Sequence, residues 1–172
     1  MKLFSMTGMK PFFIGWFMKI WRKWSPLSIR RPVVMALSNP TSKSECTPED
    51  VLKATNGKGL VATGSPFPPV DMDGAKVPPS QANNMFIFPG VGLGALVGRA
   101  SKVTDRMFLA ASGALSDLVS AESQAHGQLL PEIKAIREVS FRVALAVARE
   151  ARDAGLGWLV SDEQLAEIIR KA

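Results

Sequence analysis

Two short apolar runs flanking one capped helix constrain this chain more than any other feature. Val33-Val34-Met35-Ala36-Leu37 has no polar alternation, which is how a parallel strand buried on both faces reads. It stops at Ser38-Asn39-Pro40-Thr41-Ser42, a run of turn-forming residues. Thr47 then stands as the cap of a helix that opens at Pro48, with Glu49 and Asp50 in its first turn. That helix is expected to reach about Thr55 and to break at Asn56-Gly57. A second apolar strand, Gly59 to Thr63, runs into Gly64-Ser65-Pro66. Strand, helix and strand within about 30 residues make a βαβ unit with a right-handed crossover. Open parallel sheets bind ligands beyond the carboxyl ends of their strands. Parallel pairing puts Ser38-Asn39-Pro40 and Gly64-Ser65-Pro66 on that edge, as candidate site loops or as plain turns.

Downstream, residues 66–82 are proline-rich, with a turn at Asp73-Gly74, and from Gly90 the pattern becomes helical. Asp105 to about Val119 places Phe108, Ala111, Leu115 and Leu118 on one stripe. Ala135 to about Ala154 carries Ile136, Val139, Val143 and Val147 on one face and Phe141, Leu145 and Ala148 on another, as in a helix buried between neighbours. Ser161 with Gln164 forms a capping box for a last helix to Arg170. The expected class is α/β: a partial Rossmann-like parallel sheet, a βαβ remnant over 32–66, followed by a mostly helical C-terminal part over 90–171. Two strands without neighbours would leave a long unpaired edge, so self-association is expected.

The 172 residues suit one domain with an appendage, and 47% hydrophobic with 21% charged residues fits a globular core. The net charge of +6 is unevenly placed. Residues 1–31 hold Lys2, Lys10, Lys19, Arg22, Lys23, Arg30 and Arg31 and no acid, leaving 14 basic against 15 acidic side chains in the rest. By electrostatics the body is no nucleic-acid binder. Lone Cys46 and lone His126 provide neither an internal disulfide framework nor a Cys/His zinc site. A reducing, cytoplasmic setting is the expectation.

The basic head is a segment apart. Wound as a helix, Lys10 to Trp24 aligns Phe13, Phe17, Ile20 and Trp24 on one stripe, with Lys19, Arg22 and Lys23 mostly away from it. It is too short and too charged to span a bilayer, and it lacks a signal-peptide pattern. Three readings stand: a foreign extension, contact with a membrane surface through 10–24, and organelle targeting. The domain division is therefore 1–31 and 32–172.

Other candidate chemistry is sparse. Gly90-Val91-Gly92-Leu93-Gly94 invites a dinucleotide-fingerprint reading, but Pro89 precedes it, Asp105 comes too early and the region beyond is helical. Glycines for close helix packing, or a helix N-terminus facing a ligand, suit it better. The carboxamides of Asn83-Asn84 offer donors and acceptors suited to a substrate with carboxylate and hydroxyl groups. Cys46, with no base beside it, reads as an inert thiol, and His126 as a surface residue.

Three stretches, Leu37-Ser38-Asn39-Pro40-Thr41-Ser42-Lys43-Ser44-Glu45-Cys46-Thr47, Ala62-Thr63-Gly64-Ser65-Pro66-Phe67 and Gln81-Ala82-Asn83-Asn84-Met85-Phe86-Ile87-Phe88-Pro89-Gly90, resemble in order and spacing the C-terminal part of malic enzyme's NAD-binding domain. Thr104-Asp105 through Ala111 and Ile136-Arg137-Glu138-Val139-Ser140 resemble its closing helices, so the likeness covers about Arg31 to Gly155. It implies oxidative decarboxylation of malate to pyruvate and carbon dioxide, with reduction of NAD or NADP. It implies substrate contacts at Asn39, Asn83 and Asn84, and cofactor contacts at Asn39, Ser38, Gly64 and Ser65. The family's catalytic tyrosine and lysine, its manganese or magnesium ligands and its true fingerprint lie upstream of the matching region, where this chain carries the head and no tyrosine at all. Phe86 stands where tyrosine is usual and Ala82 where glycine is common. The expectation is a C-terminal fragment behind an unrelated head, without catalytic or metal residues and inactive alone. The alternative is a non-catalytic interaction module, sitting on a membrane or pairing with a full-length relative.

Overall fold

Val33 and Val34 are neighbours in sequence and both are buried, which a strand achieves only when both of its faces are covered. That strand lies inside a parallel sheet in the computed structural model, which describes residues 31–172 and the backbone of 3–5. The helix expected over Lys10–Trp24 lies outside the described residues. The first elements are β1 (Leu3–Ser5), β2 (Val33–Ala36), α1 (Pro48–Ala54), β3 (Leu60–Thr63), β4 (Val70–Met72), β5 (Ala75–Val77) and β6 (Ser80–Gln81). The rest are helical: α2 (Phe88–Val97), α3 (Asp105–Ser116), α4 (Ala121–Ala125), α5 (Ile136–Asp153) and α6 (Asp162–Lys171). The chain divides into two compact units, residues 1–83 with 120–130, and residues 84–119 with 131–172. Among the described residues no helix is long and apolar enough to cross a membrane.

In the first unit the sheet order is β1-β2-β3-β6, with every neighbouring pair parallel. The βαβ expectation therefore holds, but the expectation of two strands with bare flanks does not. β1 pairs with β2 and β6 with β3. Only two polar residues make β6, too few for a periodicity, yet Ala82 N–H continues its ladder to the Thr63 carbonyl at 2.8 Å. Helix α1 starts where its cap dictates: Thr47 Oγ1 accepts from Asp50 N–H, and Asp50 Oδ2 accepts from Thr47 N–H. It ends at Asn56 and Gly57, both left-handed with φ of 50° and 74°. Val51 and Leu52 of α1 pack with Val34, Ala36, Cys46 and Val61 to form the core. Asp73 and Gly74, φ 53° and 84°, close the β4–β5 hairpin, where only the turn was legible in sequence.

The second unit is built around α5. Val139, Val143 and Val147 are buried on one side; Ala144, Leu145 and Ala148 join Leu165 and Ile169 of α6 on another. Both expected faces of this helix are present. The stripe expected on α3 is corrected by one position. Met107, Ala111 and Leu115 are buried, while Phe108 is 42% exposed. One residue is about 100° of helix rotation, and an i, i+4, i+8 row beginning at Met107 was equally compatible with the composition. Ser161 and Gln164 form the capping box of α6. Asp162 beside them receives Arg152 Nη1 at 2.8 Å and Arg149 Nη2 at 2.8 Å. Those guanidiniums, Arg152 first, hold its carboxyl below the usual range.

Candidate functional site at the carboxyl edge of the sheet

β2 and β3 run in register from Val33 opposite Leu60 to Ala36 opposite Thr63, so their following loops leave the sheet side by side. Gly64 N–H donates to the Ala36 carbonyl at 2.8 Å, adding one rung beyond the strands. At the same point a Cβ on Gly64 would lie 2.2 Å from the Leu37 carbonyl oxygen and 3.0 Å from Asn39 Nδ2. The two loops approach this closely only because residue 64 has no side chain. One step further, the buried Ser65 hydroxyl donates to Asn39 Oδ1 at 2.5 Å, joining residues 26 apart. With its oxygen engaged, the Asn39 carboxamide has its Nδ2 hydrogens as the donor edge of an exposed side chain.

Behind this clasp the polar atoms are accounted for. Thr63 Oγ1 donates to the Ser65 carbonyl at 2.9 Å, and Gln81 Nε2 reaches the Gly64 carbonyl at 3.5 Å. Ser38 N–H and Ser38 Oγ donate to the buried Glu45 carboxylate at 3.2 and 2.6 Å. Ser38, Asn39, Gly64 and Ser65 thus come together as the strand-end argument requires. Asn83 and Asn84 fall on either side of the boundary between the two units. Asn84 begins a 3-10 turn, Asn84–Phe86, and is exposed; Asn83 is half-buried. Glu45, Thr63 and Gln81 were missed by the sequence reading. Glu45 stood in full view between Ser44 and Cys46, but an acid in a polar loop reads as solvated.

The remaining candidates resolve simply. Burial, with the charges of Asp50 and Glu45, pushes the Cys46 thiol up to about 12, the opposite of what a nucleophile needs. His126 is exposed and its Nδ1 meets the Glu122 carbonyl at 2.8 Å. Gly90 and Gly94 are spent on helix packing. A Cβ on Gly90 would meet Val143 Cβ at 2.6 Å, and one on Gly94 the Ala144 carbonyl oxygen at 2.4 Å. Glycines turned into a neighbouring helix do not cradle a pyrophosphate, so the fingerprint reading fails. Among the described residues no three His, Cys, Asp or Glu side chains gather as a metal cage. A hollow of about 250 Å³ among Arg31, Leu60, Lys76, Val77 and His126 opens at the other end of β3, and none of the candidate site residues lines it.

Comparison with known proteins bears on the same region. Residues 15–152 match the family model described as malic enzyme, NAD binding domain. The chain is 50% identical over 141 residues to a protein named NAD-dependent malic enzyme from Pseudomonas savastanoi pv. phaseolicola, covering 82% of this chain and 25% of that protein. A protein of the same name from Sodalis glossinidius is 50% identical over 135 residues, covering 78% and 24%. Among solved structures, malic enzyme from Pyrococcus horikoshii Ot3 aligns with TM-score 0.65 at 27% identity, over 99% of this chain and 33% of that one. Malic enzyme from Entamoeba histolytica aligns with TM-score 0.65 at 26% identity, over 82% and 26%. The chain spans about a quarter of the length of the curated relatives it matches.

Proposed function

Because this chain belongs to the malic enzyme family, in its NAD-binding domain, we propose that its sheet edge supplies the amides that orient malate and nicotinamide. The observation that carries this reading is the Ser65–Asn39 clasp at the carboxyl ends of two parallel strands. Asn39 offers its Nδ2 hydrogens to a carboxylate or a carboxamide oxygen, and Ser65 keeps that carboxamide from turning. Asn83 and Asn84 are the malate-holding amides that the family likeness assigns. Gly64 and Ser65 are the cofactor contacts that the family likeness assigns; the buried Ser65 hydroxyl is spent on Asn39, and Ser38 holds the loop. A nicotinamide held there would supply the acceptor for the hydride that leaves the hydroxyl-bearing carbon of the substrate. NAD is favoured over NADP, since the relatives compared are named NAD-dependent.

We infer that the chain by itself orients the substrate without turning it over. Proton removal from the malate hydroxyl needs a base, and the enolate left by decarboxylation needs a positive charge beside it. The described residues gather no metal cage, and the sequence has no tyrosine. Purified chain with malate, manganese and either nicotinamide cofactor is expected to yield no reduced cofactor above the protein-free rate. Turnover that scales with the chain and vanishes in Asn84→Ala would overturn this reading. The second reading, association with a full-length relative, is favoured by exposed Leu96, Leu109 and Leu159, at 78%, 70% and 82%. It predicts that the chain co-elutes with such a relative on size-exclusion chromatography, and elution of the two as separate peaks refutes it.

A further inference from the structure

We propose that Glu45 is a positioning residue for Asn39, acting through Ser38; this rests on the reading of Asn39 as a ligand-facing amide. Glu45 is 4% exposed, and a carboxylate is buried at great cost unless its oxygens are hydrogen-bonded. Here both oxygens go to one residue. Ser38 N–H donates to Oε2 at 3.2 Å and Ser38 Oγ to Oε1 at 2.6 Å. A fork that grips backbone and side chain of the same residue fixes the direction in which the chain leaves β2. The next residue is Asn39, whose side chain is held from the opposite loop by Ser65. Asn39 is therefore set from two sides, its backbone by Glu45 and its carboxamide by Ser65, with the Nδ2 edge free to meet a ligand. Ser38, which the sequence presents as a cofactor contact, has both donors committed to Glu45 and serves as the strut between the two.

This arrangement makes predictions that a general packing role does not. Glu45→Gln keeps the fork, because Oε1 still accepts from Ser38 N–H and the Ser38 hydroxyl turns to accept from Nε2. Glu45→Ala removes it. In the ligand-free chain, the Asn39 side-chain NH₂ signals in a nitrogen-correlated NMR spectrum are expected to stay in place in Glu45→Gln. In Glu45→Ala the released Ser38–Asn39 backbone carries the carboxamide away from Ser65, and the signals move towards those of an unclasped, solvent-exposed carboxamide. Titration with NAD+ plus malate is expected to show about tenfold weaker binding in Glu45→Ala, wild-type-like binding in Glu45→Gln, and no further loss when Glu45→Ala is added to Asn39→Ala. If Glu45→Ala does not fold, Ser38→Ala, which deletes only the hydroxyl strut, takes its place in both measurements. Unchanged Asn39 signals in the fork-breaking variant overturn the proposal, as does a loss that adds in full to that of Asn39→Ala. Absence of binding by the wild-type chain, or indifference of binding to Asn39→Ala, defeats instead the reading of Asn39 as a ligand amide, and the ligand-free signals still decide the role of Glu45.

Discussion

At Gly64 a hydrogen atom stands where any other residue would place carbon against the Leu37 carbonyl oxygen, 2.2 Å away. Backbone cannot yield as a side-chain tip does, so Gly64→Ala is expected to destabilise the fold by about 2–4 kcal/mol, seen as a lower denaturant midpoint. Gly74 is a control with open space around it and φ of 84°; Gly74→Ala is expected to cost only about 1 kcal/mol of turn strain. Cys46 supplies a pH signature. Its thiol is raised from the usual range to about 12, so the folded chain holds that proton where the unfolded chain releases it. The stabilisation is complete below the unfolded value near 9 and is lost as pH rises towards 12, with a slope of up to about 1.4 kcal/mol per pH unit. Thiolate absorbance in the native and the denaturant-unfolded chain checks this, and ionisation near the ordinary thiol value in both would contradict it. The place of Asn39 and Ser65 at the ends of β2 and β3 was legible because strand ends announce themselves by composition. Their clasp was not, since nothing local links residues 26 apart.

At the scale of elements, α2 shows how one glycine run serves different ends. Gly90 and Gly94 lie one turn apart and let α5 approach; Gly92, between them, faces nothing within 4 Å. Gly92→Ala is expected to raise stability by about 0.5–1 kcal/mol through helix propensity, whereas Gly94→Ala should lower it by about 2 kcal/mol or more. Thermal melts of the two variants should move in opposite directions, and a shared direction would refute the assignment of faces. The capped helices were readable at their starts, because Thr47-Pro48 and Ser161 with Gln164 carry their own hydrogen-bond partners. The α3 face was readable only to within one residue, because Met107 and Phe108 are both apolar and tertiary packing alone chooses between them. β6 was invisible, since its pairing belongs to β3 and not to its own two residues.

For the whole molecule, the order β1-β2-β3-β6 puts β2 and β3 between neighbours on both sides. Their amides, notably Val34, Ala36, Val61 and Ala62, are buried with the core and are expected to exchange hydrogen most slowly in the first unit. The β4–β5 hairpin should exchange sooner, because its two strands pair only with each other. Equal protection across these elements, read by hydrogen exchange with mass spectrometry, would contradict the topology. The self-association expected from bare strand flanks finds no open flank on β2 or β3.

The bond from Ser65 to Asn39 spans 26 residues, and the intervening chain contains the whole of α1 and β3. Helix α1 can wind locally in under a microsecond or so, but this contact must wait until the crossover has swung back and the second strand has found its register. The amide edge consequently forms no earlier than the pairing of β2 with β3. A collapsed intermediate with full helical content would have no such edge, so the side-chain signal of Asn39 would serve as a clock for completion of the sheet.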